Sequence, residues 1–265
     1  MNIYGKESLL KIETQVKHNK TVLKNTFFSA PLKIAKPFYD MQFNMMKLCM
    51  LNVSPGILSG DSYKIDINLG ESSKLELYTQ SYSKVFNMKE GFAKQKLNIN
   101  LEKGAVLEYM PLPIIPYTNS NYTAINTITL KKTSTLFFRD IISCGRYKRN
   151  EVFQFQKFKS RTEIYLEDEL IFVDNTFLNP EIQKLNEIGF YEGYTHQANV
   201  IVFNYNVDEQ LKDYIVEFLN TYDDIDFGAT ITCDSCMIIK ILGKGSEKLK
   251  IITNNLKQNV RMLIK

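Results

Sequence analysis

The sequence predicts a mainly β fold in one domain, residues 1–265, with two α-helices confined to its C-terminal third. Short alternating apolar runs recur as far as about residue 205, and turn signals such as Leu69-Gly70, Glu102-Lys-Gly104, Cys144-Gly145 and Asn179-Pro180 separate them. Many short strands at close spacing argue for an all-β body rather than βαβ units. Apolar positions recur at helical spacing only in two late segments.

The clearest strand is Tyr63–Leu69, where Tyr63, Ile65, Ile67 and Leu69 alternate with Lys64, Asp66 and Asn68. Side chains two apart share a face of a strand. The same pattern marks Lys74–Thr79, Gln95–Leu101, Ala105–Met110, Tyr122–Leu130, Ser134–Ile142, Val152–Phe158, Thr162–Val173 and Ala198–Tyr205. Leu211, Tyr214, Ile215, Phe218 and Leu219 then form one helical face. Asn206 and Glu209 offer a capping box at its start. Ala229–Thr232 and Met237–Leu242 read as strands around a hairpin tip at Asp234-Ser235. Ser246 caps the last helix, whose buried stripe is Leu249, Ile252, Leu256, Val260 and Leu263. No Pro/Gly/Ser-rich linker divides the chain, and no fixed repeat marks a regular solenoid.

Apolar residues make up 44% of the sequence, enough for a sizeable core and too many for disorder. The net charge of +4 is nearly balanced, and the tightest basic cluster, Arg146-Tyr-Lys-Arg149, is followed at once by Glu151. A nucleic-acid footprint needs more concentrated basic surface, so none is expected. No segment reaches the apolar length that spans a bilayer, because Lys47 interrupts the best run, around Met45 to Val53. The N-terminus lacks signal-peptide character and the cysteines are too sparse for a disulfide scaffold, so the expected location is the cytoplasm.

Catalytic signatures are absent. The two histidines, His18 and His196, carry no motif around them, and there is no Gly-x-Ser-x-Gly, GxGxxG or Walker loop. Cys233-Asp-Ser-Cys236 has metal-binding spacing but no second pair to complete a zinc site. Hairpin chemistry explains it better.

The carboxylates are more informative. Counting back from Tyr63 places Asp61 on the apolar face. Asp140 shares a row with Leu136, Phe138 and Ile142, Asp174 with Leu170 and Phe172, and Glu108 with Val106 and Met110. A buried carboxylate without partners costs several kcal/mol. Each acid therefore closes a turn, meets a partner, or faces internal water. Oxygen ligands alone hold a divalent metal weakly, which suits transfer better than storage.

In order and spacing, several stretches resemble the UreD (UreH) family of urease accessory proteins. They are Pro31-Leu-Lys-Ile-Ala-Lys-Pro-Phe38, the glycine-rich segment ending in Gly60-Asp61, and Tyr78-Thr-Gln-Ser-Tyr-Ser-Lys-Val-Phe86 with Ser83 and Lys84. Leu107-Glu-Tyr-Met-Pro-Leu-Pro-Ile-Ile-Pro-Tyr117, carrying Glu108 and Pro116, follows. Asp140-Ile-Ile-Ser-Cys-Gly145-Arg146 with Glu151-Val-Phe153 completes the series.

The resemblance implies a non-enzymatic, irregular β-helix-like body with two helices. It implies UreF, UreG and apo-urease as partners, with dimeric assembly through UreF. It also implies help in placing nickel in the urease active site, with nickel in transit and no tightly bound cofactor. Asp61, Ser83, Asp140 and Asp174 map onto positions associated with the family's interior nickel passage. Asn52 and Pro55 stand where family members usually carry His and a paired Gly. Two rival readings are an all-β carbohydrate-active enzyme with Asp61 and Asp140 as its acid–base pair, and a plain protein-binding module whose acids only close turns.

Overall fold

A computed structural model describes residues 7–233 and 235–263. Its strands form two sheets, of seven and eleven strands. In the first, Ser8–Lys17, Ser62–Leu69, Ala93–Leu101, Asn121–Leu130 and Lys157–Leu166 run parallel in that order. In the second, Met45–Asn52, Lys74–Thr79, Val106–Met110 and Thr135–Ser143 do the same. The chain alternates between the sheets, coiling through about four turns of an irregular β-solenoid. A short parallel pair, Ser83–Val85 with Ile114–Pro116, joins the second sheet through Ile114, which pairs with Ile142.

Antiparallel strands close the stack. Lys20–Phe28 lies on the first sheet at one end and Glu169–Leu178 at the other. The second sheet is extended by His196–Phe203, Cys236–Gly243 and Ile225–Cys233. Two helices, α1 (Glu209–Leu219) and α2 (Ser246–Leu263), cover its outer face.

This layering explains where sequence periodicity is clear and where it fades. The first sheet has one dry face and one wet face, so Ser62–Leu69 alternates strictly between buried and half-buried residues. The second sheet is covered on both faces, by the solenoid interior and by the helices. Strands buried on both faces read as nearly continuous apolar runs. The apolar stretch Met45–Asn52 is therefore a central strand, with Met46, Leu48 and Met50 in the interior core.

Several expected boundaries move. Val152–Phe158 is largely a loop whose Phe153 and Phe155 are buried, and the strand begins at Lys157. Thr162–Val173 is split by a turn at Glu167, whose φ is +54°, into two antiparallel strands. The cap of α1 is Asp208, whose Oδ1 accepts from the Leu211 amide at 2.7 Å, and Asn206 lies before it at φ +51°. Asp208 is three residues before Leu211, so the capping chemistry was present two positions later than expected. At the hairpin, Cys233 and Cys236 are register partners, and Asp234 falls outside the described residues.

Candidate functional site

Strand Thr135–Ser143 sends alternate side chains to the two sides of the second sheet. Leu136, Phe138 and Ile142 enter the solenoid interior, while Phe137 and Ile141 face the helices. Asp140 follows the first set and walls an internal cavity of about 300 Å³. Its Oδ1 accepts from Asn199 Nδ2 at 2.8 Å, on the antiparallel neighbour directly across from it. Asn199 Oδ1 in turn accepts from Gln197 Nε2 at 2.7 Å. Asp140 is half-buried because its open side faces the cavity.

Burial pushes the Asp140 carboxyl up to about 6. The Asn199 hydrogen bond opposes that, the charge of Asp174 adds to it, and Lys240 pulls it back. A carboxylate poised there, with an amide partner and no contacting cation among the described residues, can attract and release a positive charge.

The facing wall comes from inward rows of the first sheet. One row runs Tyr63, Gln95, Ala124, Ser160 and Thr176, and the next contains Leu97, Asn126, Thr162 and Asp174. Asn126 Nδ2 donates to Thr162 Oγ1 at 2.9 Å within the core. The interior thus grows more polar toward the last turns of the solenoid. Elsewhere the cavity wall includes Ser81 and Lys84, both exposed, so it reaches the surface on that side.

Other expected positions fall in distinct places. Ser83 and Lys84 line this cavity. Asp61 heads the inward strand but is not part of the lining. Its Oδ2 accepts from the Leu58 amide at 2.8 Å and from the Tyr63 hydroxyl at 2.9 Å. It closes the turn at Gly60, whose φ is +84°, and steadies a tyrosine that does line the cavity. Asp174 is ion-paired to Lys240 at 2.5 Å beside the Thr176 end of the wall. A bulge between Ile164 and Tyr165 takes Leu170 out of its row and leaves it exposed.

Gly145, Arg146, Glu151 and Pro116 form a loop lock. Arg146 Nε donates to Glu151 Oε2 at 2.7 Å and its guanidinium lies 4.2 Å from the Tyr117 ring centre. Gly145 has φ +130°, and a Cβ there would sit 2.7 Å from the Glu151 carbonyl oxygen and 3.2 Å from that of Pro116.

Glu108 lies on the opposite face from the cavity. It is fully buried under α2, where Arg261 forms a two-pronged ion pair with it and Lys257 Nζ lies 3.3 Å away. Glu76 joins through Arg261 at 3.0 Å and Lys257 at 3.1 Å, and Lys47 approaches Glu76 at 3.3 Å. Burial pushes Glu76 up, but Lys257 and Lys47, with Arg261, outweigh it and hold the carboxyl below its usual range. On the neighbouring strand, two residues beyond Glu108's register partner Phe137, Arg139 is nearly inaccessible and donates to Thr253 Oγ1, Asn254 Oδ1 and the carbonyls of Met110 and Pro111.

His196 is buried and its Nδ1 accepts from the Gly245 amide at 3.0 Å, which places its proton on Nε2 and secures the entry to α2. Burial lowers its pKa to about 4. Cys236 is buried beside Cys233 in the hairpin register. Among the described residues, no three His, Cys, Asp or Glu side chains converge as a metal-holding cluster. Asn126, Ser160, Asn199 and Gln197 were missed as site residues. The first two were within reach of the same alternation count that placed Asp61, since each sits at an inward position of its strand.

The protein is of the β-solenoid class, with a hydrogen-bonded carboxylate in its cavity and a helical layer clamped to its back. The family model of the UreD urease accessory protein matches residues 6–265. The chain is 38% identical over 251 residues to the urease accessory protein UreD of Acetivibrio thermocellus, covering 95% of this chain and 96% of the relative. It is 32% identical over 250 residues to the urease accessory protein UreH of Helicobacter pylori strain J99, covering 94% and 93%. The UreD protein of Flavobacterium johnsoniae is 34% identical over 242 residues, covering 91% and 87%. The chain belongs to the UreD family of urease accessory proteins.

Proposed function

We propose that this protein is a urease maturation factor that works by binding rather than catalysis. In this reading it joins UreF and UreG on apo-urease, assembles as a dimer through UreF, and passes nickel through its interior to the urease active site. It acts in the cytoplasm and keeps no tightly bound cofactor. The observation that carries the conduit part is Asp140, an acid on the wall of an internal polar cavity without a contacting cation among the described residues. Oxygen donors alone suit brief passage of a divalent ion.

Asp61 and Asp140 do not share the cavity wall, and both oxygen contacts of Asp61 described above serve its turn and Tyr63. That disfavours a glycosidase, whose two carboxylates must face one sugar across about 5–10 Å. The plain binding-module reading has no use for the cavity.

The deciding experiment is Asp140→Asn, with thermal unfolding and urease nickel content measured side by side. The amide keeps the shape and can accept from Asn199 through its oxygen. Unchanged unfolding with poor nickel loading is the expected result, because a neutral wall no longer attracts a cation in a low-dielectric site. Normal loading per folded molecule sinks the conduit.

A further inference from the structure

The outer face of the first sheet carries a charge pattern that the fold does not need. Because the strands are parallel and in register, outward residues line up in rows across them. Lys64, Lys96, Ile125 and Arg161 form one row, and Lys94, Thr123, Lys159 and Phe177 the row beside it, with Lys157 next along its strand. Neighbouring rows lie about 7 Å apart along a strand, and neighbours within a row about 5 Å apart.

Lys64 and Lys96 are direct register partners, an arrangement of like charges that destabilises a sheet. Lys64 leans toward Asp66 at 3.8 Å and Arg161 pairs with Glu163 at 2.6 Å, both acids being in the following row. Among the described residues, Lys94, Lys96, Lys157 and Lys159 form no ion pair. In their midst Ile125 points outward, 38% exposed, with Phe177 at the edge, 37% exposed. An apolar centre ringed by charge on a flat face has the anatomy of an interface.

We infer that this face docks an acidic protein segment laid across the strands, its carboxylates over the lysine rows and an apolar side chain on Ile125. The basic strip is about two rows wide and is bounded by Asp66 and Glu163. That width fits one extended chain. A nucleic-acid duplex would bring its phosphates onto the acidic row as well, at a repulsive cost. The inference is independent of the nickel reading.

The test uses the full chain and a synthetic peptide alternating glutamate with isoleucine. A carbodiimide couples peptide carboxylates to nearby amines, and adducts are mapped by mass spectrometry. Coupling concentrated at Lys94, Lys96 and Lys159 is expected, with little at Lys184, whose side chain is 78% exposed on a loop outside the two rows. The K94E/K96E/K159E variant should weaken peptide binding at least about tenfold, and raised salt should weaken it for the native chain. Ile125→Ser should weaken it without changing charge. Adducts spread by exposure alone, with Lys184 as reactive as Lys94, overturn the proposal even if the triple variant fails to fold. Tighter binding of a DNA duplex than of the peptide at equal salt overturns it too.

Discussion

Asp140 and Glu108 are both carboxylates removed from bulk water, yet they lie on opposite sides of the same sheet and are handled in opposite ways. Glu108 is fully buried and meets Arg261 and Lys257. Asp140 meets an asparagine and an open cavity. A charge surrounded by counter-charges is committed to structure. A charge given only an amide keeps part of its attraction for something that arrives later.

The largest effect is expected at the ion cluster. Arg261→Ala should leave Glu108 buried with reduced compensation and cost about 3–5 kcal/mol, read as a lowered denaturant midpoint with undocking of α2. A loss below about 1 kcal/mol, the range of exposed pairs, would mean that water reaches the cluster and that the contrast with Asp140 is false.

A smaller effect is expected in the pH dependence of unfolding. Burial raises the Asp140 pKa to about 6, so the folded state binds its proton more readily than the unfolded chain, whose value is near 3.8. This group therefore lowers stability as pH rises from about 4 to about 6. His196 runs the other way. Its folded value of about 4 lies below the ordinary 6.5, so its contribution is complete above pH 6.5 and is lost as pH falls toward 4. The native protein should show partial cancellation across this window. Asp140→Asn should make stability rise more steeply with pH, and His196→Gln should make it fall with pH. Identical slopes for native protein and both variants would show that neither group titrates as its surroundings require.

The smallest effect is expected at Asp61. Asp61→Asn weakens the hydrogen bonds to the Leu58 amide and the Tyr63 hydroxyl and should cost about 1 kcal/mol. Urease nickel loading per folded molecule should change far less than for Asp140→Asn. Equal loss of loading in the two variants, at unchanged stability, would return Asp61 to the passage itself.

Legibility followed the solvent. Ser62–Leu69 alternates because one face is wet, so its strand and inward row could be read by counting. The helices were readable for the same reason, with Leu211, Ile215 and Leu219 buried on one face of α1. Strands Ser8–Lys17 and Lys20–Phe28 carried weaker patterns, and the consecutive exposed aromatics Phe27 and Phe28 blur the alternation of the second. The turn at Glu167 uses a positive φ in a residue that does not advertise one.

By itself, then, the sequence determined the β-rich class, the two late helices and the inward aim of Asp140, since each follows from a local period of two or 3.6 residues. It also carried the motifs of its family. Only the tertiary structure decided what each buried acid meets. Glu108 finds Arg261, 153 residues away in sequence, and Asp140 finds Asn199, 59 residues away. It also gathered lysines from three separate strands onto one face, which no window along the chain contains. Local spacing dictates which way a side chain points, but its partners are set by how the solenoid turns stack, and that depends on the whole chain closing at once.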